Sequence, residues 1–297
     1  MNRHRFGDLA LVVTIGVFWG LNWPSVKFIL GEVPPWTLRA IGFTVGAILL
    51  TLFARLNRQS LWPAPDERWR LTLAGLLTVF GFNMLTAFGQ LLTETSRAAI
   101  IAFTMPMWAA GLSVLFLRES LTAARVASLC VGMLGLVLLM YDGVGSIRRD
   151  PAGPMFMLGS ALSWAAGTVI LKTRDWSIKP IAQAAWMVSC SAPPAIIAAL
   201  MLEKPLALSM PTLPVLATLA YHIIFPMAIC YVAWVSLVGR LPVSVAAIGT
   251  LLIPVVGVIS ASLLLGDILT WQKLLALALV LSSIALTFVN ANRPRLK

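Results

Sequence analysis

The chain has 297 residues, of which 59% are hydrophobic and only 11% charged. Soluble domains are closer to a quarter charged, so this composition excludes an ordinary water-soluble fold and points into a bilayer. The net charge of +11 does not point to nucleic acid, because the basic residues sit in short connectors and no long basic run or RNA or DNA motif occurs.

The N-terminus begins with Arg3, His4 and Arg5 and then turns apolar. A signal peptide starts the same way. Here the apolar run continues past Trp19 without an A-x-A-like cleavage site, so it reads as a first permanent span. A spanning helix needs about 20 mostly apolar residues. Ten segments are expected, at 9–30, 36–54, 71–93, 98–117, 126–141, 153–171, 181–202, 213–239, 243–266 and 274–290. Pro34-Pro35, Pro63, Pro65, Pro151, Pro205 and Pro211 punctuate the connectors. With the N-terminus inside, the inner connectors hold 15 Lys and Arg and the outer ones 7, Arg39 among the latter. That bias places both termini in the cytoplasm. Cys130, Cys190 and Cys230 lie inside apolar segments with no CxxC and no His partner. They read as small core residues, and neither a disulfide framework nor a metal site is expected.

The first span carries GVFWGLNWPSVK. Trp19 and Asn22 are three apart and share a helix face, while Gly16 and Gly20 form a GxxxG face for close packing. The third span carries Phe82, Asn83, Thr86 and Gln90; the last three form a polar stripe at i, i+3 and i+7. Such a stripe is expensive against lipid and should face protein or water. The fourth span holds Phe103, Thr104 and Pro106, and the ninth holds Thr250 and Pro254. A mid-helix proline would free the carbonyls of Ala102 and Thr250, and free carbonyls at that depth survive only against protein or a wet cavity. The sixth span sets Trp164 among Gly159, Ser163 and Gly167.

These features recur. Residues 98–122 lie over 246–270 without gaps, with eight of 25 positions identical, Pro106 on Pro254. Chance in so Leu- and Ala-rich a chain gives roughly three. Tyr231 is the mate of Asn83 at the same offset of 148, and Trp19/Trp164 and Lys27/Lys172 share an offset of 145. Each copy therefore holds five spans, in units 1–146 and 147–297. Five is odd, so the second copy enters the membrane inverted. The fold expected is all-α and integral to the membrane: ten helices as two inverted five-helix repeats around a central cavity.

Trp19-Gly20-x-Asn22, the mid-span prolines and the paired LRESLT (117–122) and LGDILT (265–270) resemble the drug/metabolite transporter superfamily, and within it the ten-span EamA-type exporters. The chain looks most like bacterial inner-membrane exporters of the aromatic amino acid, methionine and threonine kind. That resemblance implies efflux of small organic solutes with no bound cofactor; an amino-acid-like substrate, contact with membrane lipids and a monomer or weak dimer are the partner expectations. The usual Gly-Glu pair of the turn departs here to Arg118-Glu119 and Gly266-Asp267, acids expected to hold the hairpins.

Trp19, Asn22, Phe82, Asn83, Thr86, Phe103, Trp164 and Tyr231 are the expected cavity lining, with Pro106 and Pro254 as helix breaks for gating. Each has a plainer reading. Deep tryptophans and Phe82 or Phe103 serve as packing, and Asn22 as interhelical glue of about 0.6 kcal/mol. Coupled carriers usually keep acids deep in the bilayer. Asp8, Glu94, Glu119, Asp142, Glu203 and Asp267 all sit at span ends, so facilitated, uncoupled export is expected. His222, well inside a late span, could carry a proton, but a packed or capping histidine is the plainer reading. No P-loop, HExxH or GxSxG occurs. A nucleotide-sugar or lipid carrier would want cations in the cavity, for which Lys27 and Lys172 are candidates. Tyr141-Asp142 and Gly266-Asp267 resemble intramembrane aspartyl protease pairs, but residue 264 is Leu where that motif needs Gly, and no enzyme is expected.

Overall fold

A computed structural model describes residues 3–92, 98, 101–140, 151–205, 209–265 and 270–290. Among them every regular element is helical. The helices are α1 (Arg3–Ile29), α2 (Pro35–Leu56), α3 (Pro65–Leu92), α4 (Met105–Leu117), α5 (Ala123–Met140), α6 (Ala152–Lys172), α7 (Pro180–Leu202), α8 (Leu213–Arg240), α9 (Val243–Gly249), α10 (Leu252–Leu265) and α11 (Trp271–Asn290). Among the described residues seven stretches are long and apolar enough to cross a membrane, one of them, Val243–Ser260, running from α9 into α10. Three shorter apolar helices overlap the fourth, fifth and tenth expected segments. The turn acids Glu94, Asp142 and Asp267 lie outside the described residues.

Local chemistry sets the helix ends. Pro35, Pro65, Pro180 and Pro214 occupy first-turn positions, where a missing N–H costs nothing. Helix α3 starts at Pro65, six residues earlier than expected, because Asp66 and Glu67 suit a first turn although they lower its hydropathy. Carboxylates satisfy other first-turn donors from across the molecule. Glu203 accepts from the Trp36 and Thr37 backbone N–H groups at 2.9 and 2.7 Å, and Glu32 from that of Thr212 at 2.7 Å.

The two chain halves interlock. Helix α2 packs on α7, and α5 on α11. Helix α3 packs on α6 as α8 does on α1, and α4 on α6 as α10 does on α1. Exchanging first-half helices for their second-half mates returns the same pairs, which is the pattern of two copies about a two-fold axis. Close contact needs the small faces read in the sequence. A Cβ on Gly16 would stand 2.5 Å from Leu252, and one on Gly20 2.7 Å from Val256. On α6, a Cβ on Gly167 would stand 2.5 Å from Thr78. The lysine mates also correspond: Lys27 Nζ donates to the Gln90 carbonyl at 2.6 Å, and Lys172 Nζ to that of Val238 at 3.0 Å. Both cap the C-terminal turn of a neighbouring helix. Of the cysteines only Cys230 is buried, while Cys130 faces outward. An apolar surroundings makes no demand that a small thiol point inward.

The LRESLT turn explains the usual glycine. Arg118 caps α4 in the left-handed region, at φ 53° and ψ 31°. A Cβ strains that conformation and glycine does not. Glu119 holds the turn as expected, accepting from Arg125 Nη1 at 3.1 Å and from the Ser244 hydroxyl. Replacing Arg118 by Gly is expected to stabilise the protein by about 1 kcal/mol. The check is the thermal unfolding midpoint in detergent; a midpoint that stays put or falls sinks the strain argument.

Candidate functional site

Helices α3 and α8 are not α-helical throughout. Each widens into a π segment, Leu76–Gly81 and Ile223–Ile229. The two match at the repeat offset, and Pro226 contributes to the second by lacking an N–H. π turns leave carbonyls for other donors and occur often at functional sites. Here side chains from the opposite half donate to carbonyls of these segments. Trp19 Nε1–H donates to the Pro226 carbonyl at 3.1 Å, the Tyr231 hydroxyl to that of Thr78 at 3.1 Å, and Ser163 to that of Leu77 at 2.7 Å.

Those donors surround a cluster of rings. Trp19 meets Trp164 edge-on, with centroids 5.1 Å apart, and Tyr231 at 5.5 Å. Phe82 lies 4.8 Å from Trp164, and Phe103 lies 5.4 Å from Trp23. Asn83 Nδ2 donates to the Tyr231 hydroxyl at 2.8 Å. Asn83 with Tyr231, and Trp19 with Trp164, are repeat mates that touch one another. Mates meet only where the symmetry axis passes between them, so the cluster marks the axis of the molecule.

A cavity opens on this axis. Its volume is about 40 Å³. A water needs roughly 10–15 Å³, so a few waters fit and a bulky solute requires the rings to part. All eight residues expected to line it do so: Trp19, Asn22, Phe82, Asn83, Thr86, Phe103, Trp164 and Tyr231. The polar stripe is buried, with the Thr86 hydroxyl donating back to the Asn83 carbonyl at 3.0 Å.

The prolines sit differently from expectation. Neither lies mid-helix. The chain turns at 103–104 and 250–251, and Pro106 and Pro254 stand in the first turns of the helices that follow. The Thr250 carbonyl is not free, since it accepts from the Ile253 N–H at 3.0 Å. A proline early in a helix removes a donor that was orphaned anyway, so restarting the helix costs less than bending it. Neither proline is among the lining residues; their neighbours Phe103, Met105 and Ile253 are.

Arg39 corrects the sequence reading most. Counted with an outer connector, it lies instead in the second turn of α2, 1% exposed, and lines the cavity. Its Nε–H donates to the Asn83 carbonyl at 3.2 Å, and Nη1 lies 3.2 Å from His222 Nε2. Arginine only donates, so Nε2 must accept and the ring proton sits on Nδ1. Nδ1 then donates to Asn22 Oδ1 at 2.7 Å. His222 is thus a buried link between Arg39 and Asn22. The available signal was a lone arginine inside a span start, on the side where positive charge is scarce.

The family model for the EamA-like transporter family matches residues 6–141 and again 151–289. The chain belongs to the EamA-like transporter family. Its relatives cover the chain almost fully. A protein of Bacillus subtilis strain 168 described as "Uncharacterized transporter YvbV" is 29% identical over 93% of this chain and 90% of its own length. A "Probable amino-acid metabolite efflux pump" of Escherichia coli K12 is 27% identical, over 94% of this chain and 93% of its own. One of the same description from Salmonella typhimurium strain LT2 is 26% identical over the same shares. A protein of known crystal structure superposes with a TM-score of 0.82 over 96% of this chain and 98% of its own, at 19% identity, a likeness of fold. This EamA-like transporter is therefore a multi-pass membrane protein.

Proposed function

We propose that this EamA-like transporter exports amino-acid-like solutes of the aromatic, methionine or threonine type, by alternating access between two inverted repeats. In this reading it sits in the bacterial inner membrane with both termini in the cytoplasm. The ring-lined cavity on the axis between the halves carries the proposal. Rings accept an apolar side chain, and a few fixed polar groups orient the rest of the solute. A two-fold pair of repeats lets each half adopt its twin's conformation, so one site can face either side in turn. The likeness to the Escherichia coli and Salmonella typhimurium probable amino-acid metabolite efflux pumps supports an amino-acid-like cargo. Lys27 and Lys172, which a nucleotide-sugar or lipid carrier would turn toward its cargo, donate to helix carbonyls instead.

Purified protein in liposomes, tested against a panel of radiolabelled amino acids by counterflow, checks the reading. Accumulation of one or more is the expected result, and none accumulating removes it. Among the described residues the lining includes no carboxylate. Flux is therefore expected to be the same within twofold under imposed proton or sodium gradients. A clear acceleration by either gradient would falsify uncoupled export.

A further inference from the structure

The Arg39 guanidinium is out of place on physical grounds. A cation inside a membrane protein is expensive and is ordinarily paired with an acid. Among the described residues Arg39 forms no ion pair: its partners are a carbonyl and a neutral imidazole. Its neighbours do not consume it either. Of the five N–H donors of an arginine, these contacts engage two, which leaves three for something else. Among the described residues it is also the one charged side chain lining the cavity. Its orientation is fixed. His222 is fully buried and clamped on its other side by Asn22, so the ring cannot turn away from Nη1.

A second incompletely paired group belongs to the same lining. Gln90 Oε1 is buried without a hydrogen-bond partner, and Gln90 lines the cavity. It stands seven residues beyond Asn83 on α3, about 10 Å along the axis. The cavity thus offers an unneutralised fork of donors, apolar rings and a lone acceptor.

We propose that Arg39 is the carboxylate anchor of the cavity, held in place by His222 and Asn22, so that the solutes taken are small carboxylates bearing an apolar group. This rests on the carrier reading and narrows its substrate class. A guanidinium grips a carboxylate through two parallel N–H bonds, the strongest neutral-pH pairing a side chain makes with that group. Binding such a solute supplies the missing counter-charge. Departure of the solute restores the lone cation, which keeps the anchor from becoming a permanent salt bridge. Gln90 Oε1 then serves a donor group on the solute, as an ammonium provides.

The test uses the purified protein in detergent and four probes that share one ring: L-phenylalanine, 3-phenylpropionate, L-phenylalaninamide and phenethylamine. Binding is read by tryptophan fluorescence quenching and by the shift in unfolding temperature. The two carboxylates are expected to bind at least tenfold more tightly than the amide and the amine. In R39Q that preference disappears while any weak amine binding persists. R39K, which keeps charge but not the fork, retains part of it. Should R39Q fail to fold, the wild-type comparison and R39K still decide. Equal binding of acid and amide by the wild type, or an intact preference in R39Q, overturns the Arg39 assignment and leaves the carrier reading standing. Binding of none of the four, with no amino acid accumulated by counterflow, overturns both.

Discussion

Replacing Trp164 by alanine is expected to slow transport at least tenfold while the protein still inserts and purifies. Trp164 touches Trp19, Phe82, Tyr231 and Trp234, with centroids 4.8–6.1 Å apart. Each aromatic pair contributes about 0.5–1.5 kcal/mol beyond its buried area. Among the described residues no other joins so many lining rings, so its loss leaves the solute's side chain without a wall. Truncating a buried tryptophan also costs stability, about 3–5 kcal/mol. Two controls separate the effects. Trp164→Phe keeps a ring on the axis and should recover most of the rate. Trp62→Ala removes an exposed tryptophan and should leave transport alone. Flux in liposomes, normalised to reconstituted protein, is the measurement. An unchanged rate in the Trp164→Ala protein would show that the ring merely fills space.

Tyr231→Phe should produce the largest loss of stability relative to the atoms removed. One hydroxyl accepts from Asn83 at 2.8 Å and donates to the Thr78 carbonyl at 3.1 Å. Removing it leaves the Thr78 carbonyl and one N–H of Asn83, whose Nδ2 still donates to the Val79 carbonyl at 2.7 Å, each short of a partner, at about 1–3 kcal/mol each. The fall in unfolding midpoint should be roughly 5 °C or more. Because Asn83 and Tyr231 are repeat mates in contact, substitutions at both should not add. A cycle with Asn83→Leu is expected to show a coupling of about 1 kcal/mol, and additivity would place the bond outside the energetics of the site. Transport should suffer too, since this bond ties α3 to α8 where the halves meet.

Much of this was legible in the residue order. Long apolar runs broken by prolines yield the helices, because lipid leaves a backbone no other way to pair its polar groups. Duplication leaves its mark as recurring residues at one offset. The eight lining residues were readable because aromatic and amide groups at bilayer depth are too costly to face lipid.

Other features depend on contacts between segments far apart in the chain, and there the residue order is silent. Arg39 reads as a connector charge until α2, α3 and α8 are assembled around it. Only then do Asn83 and His222 reach it. The widened turns of α3 and α8 gain side-chain donors only once Trp19, Ser163 and Tyr231 cross from other helices to reach their carbonyls. Pro106 and Pro254 signal a break, but where it falls follows from which backbone groups find partners once the helices pack. Local sequence sets what each helix can bury; the packed whole sets what each buried polar group meets.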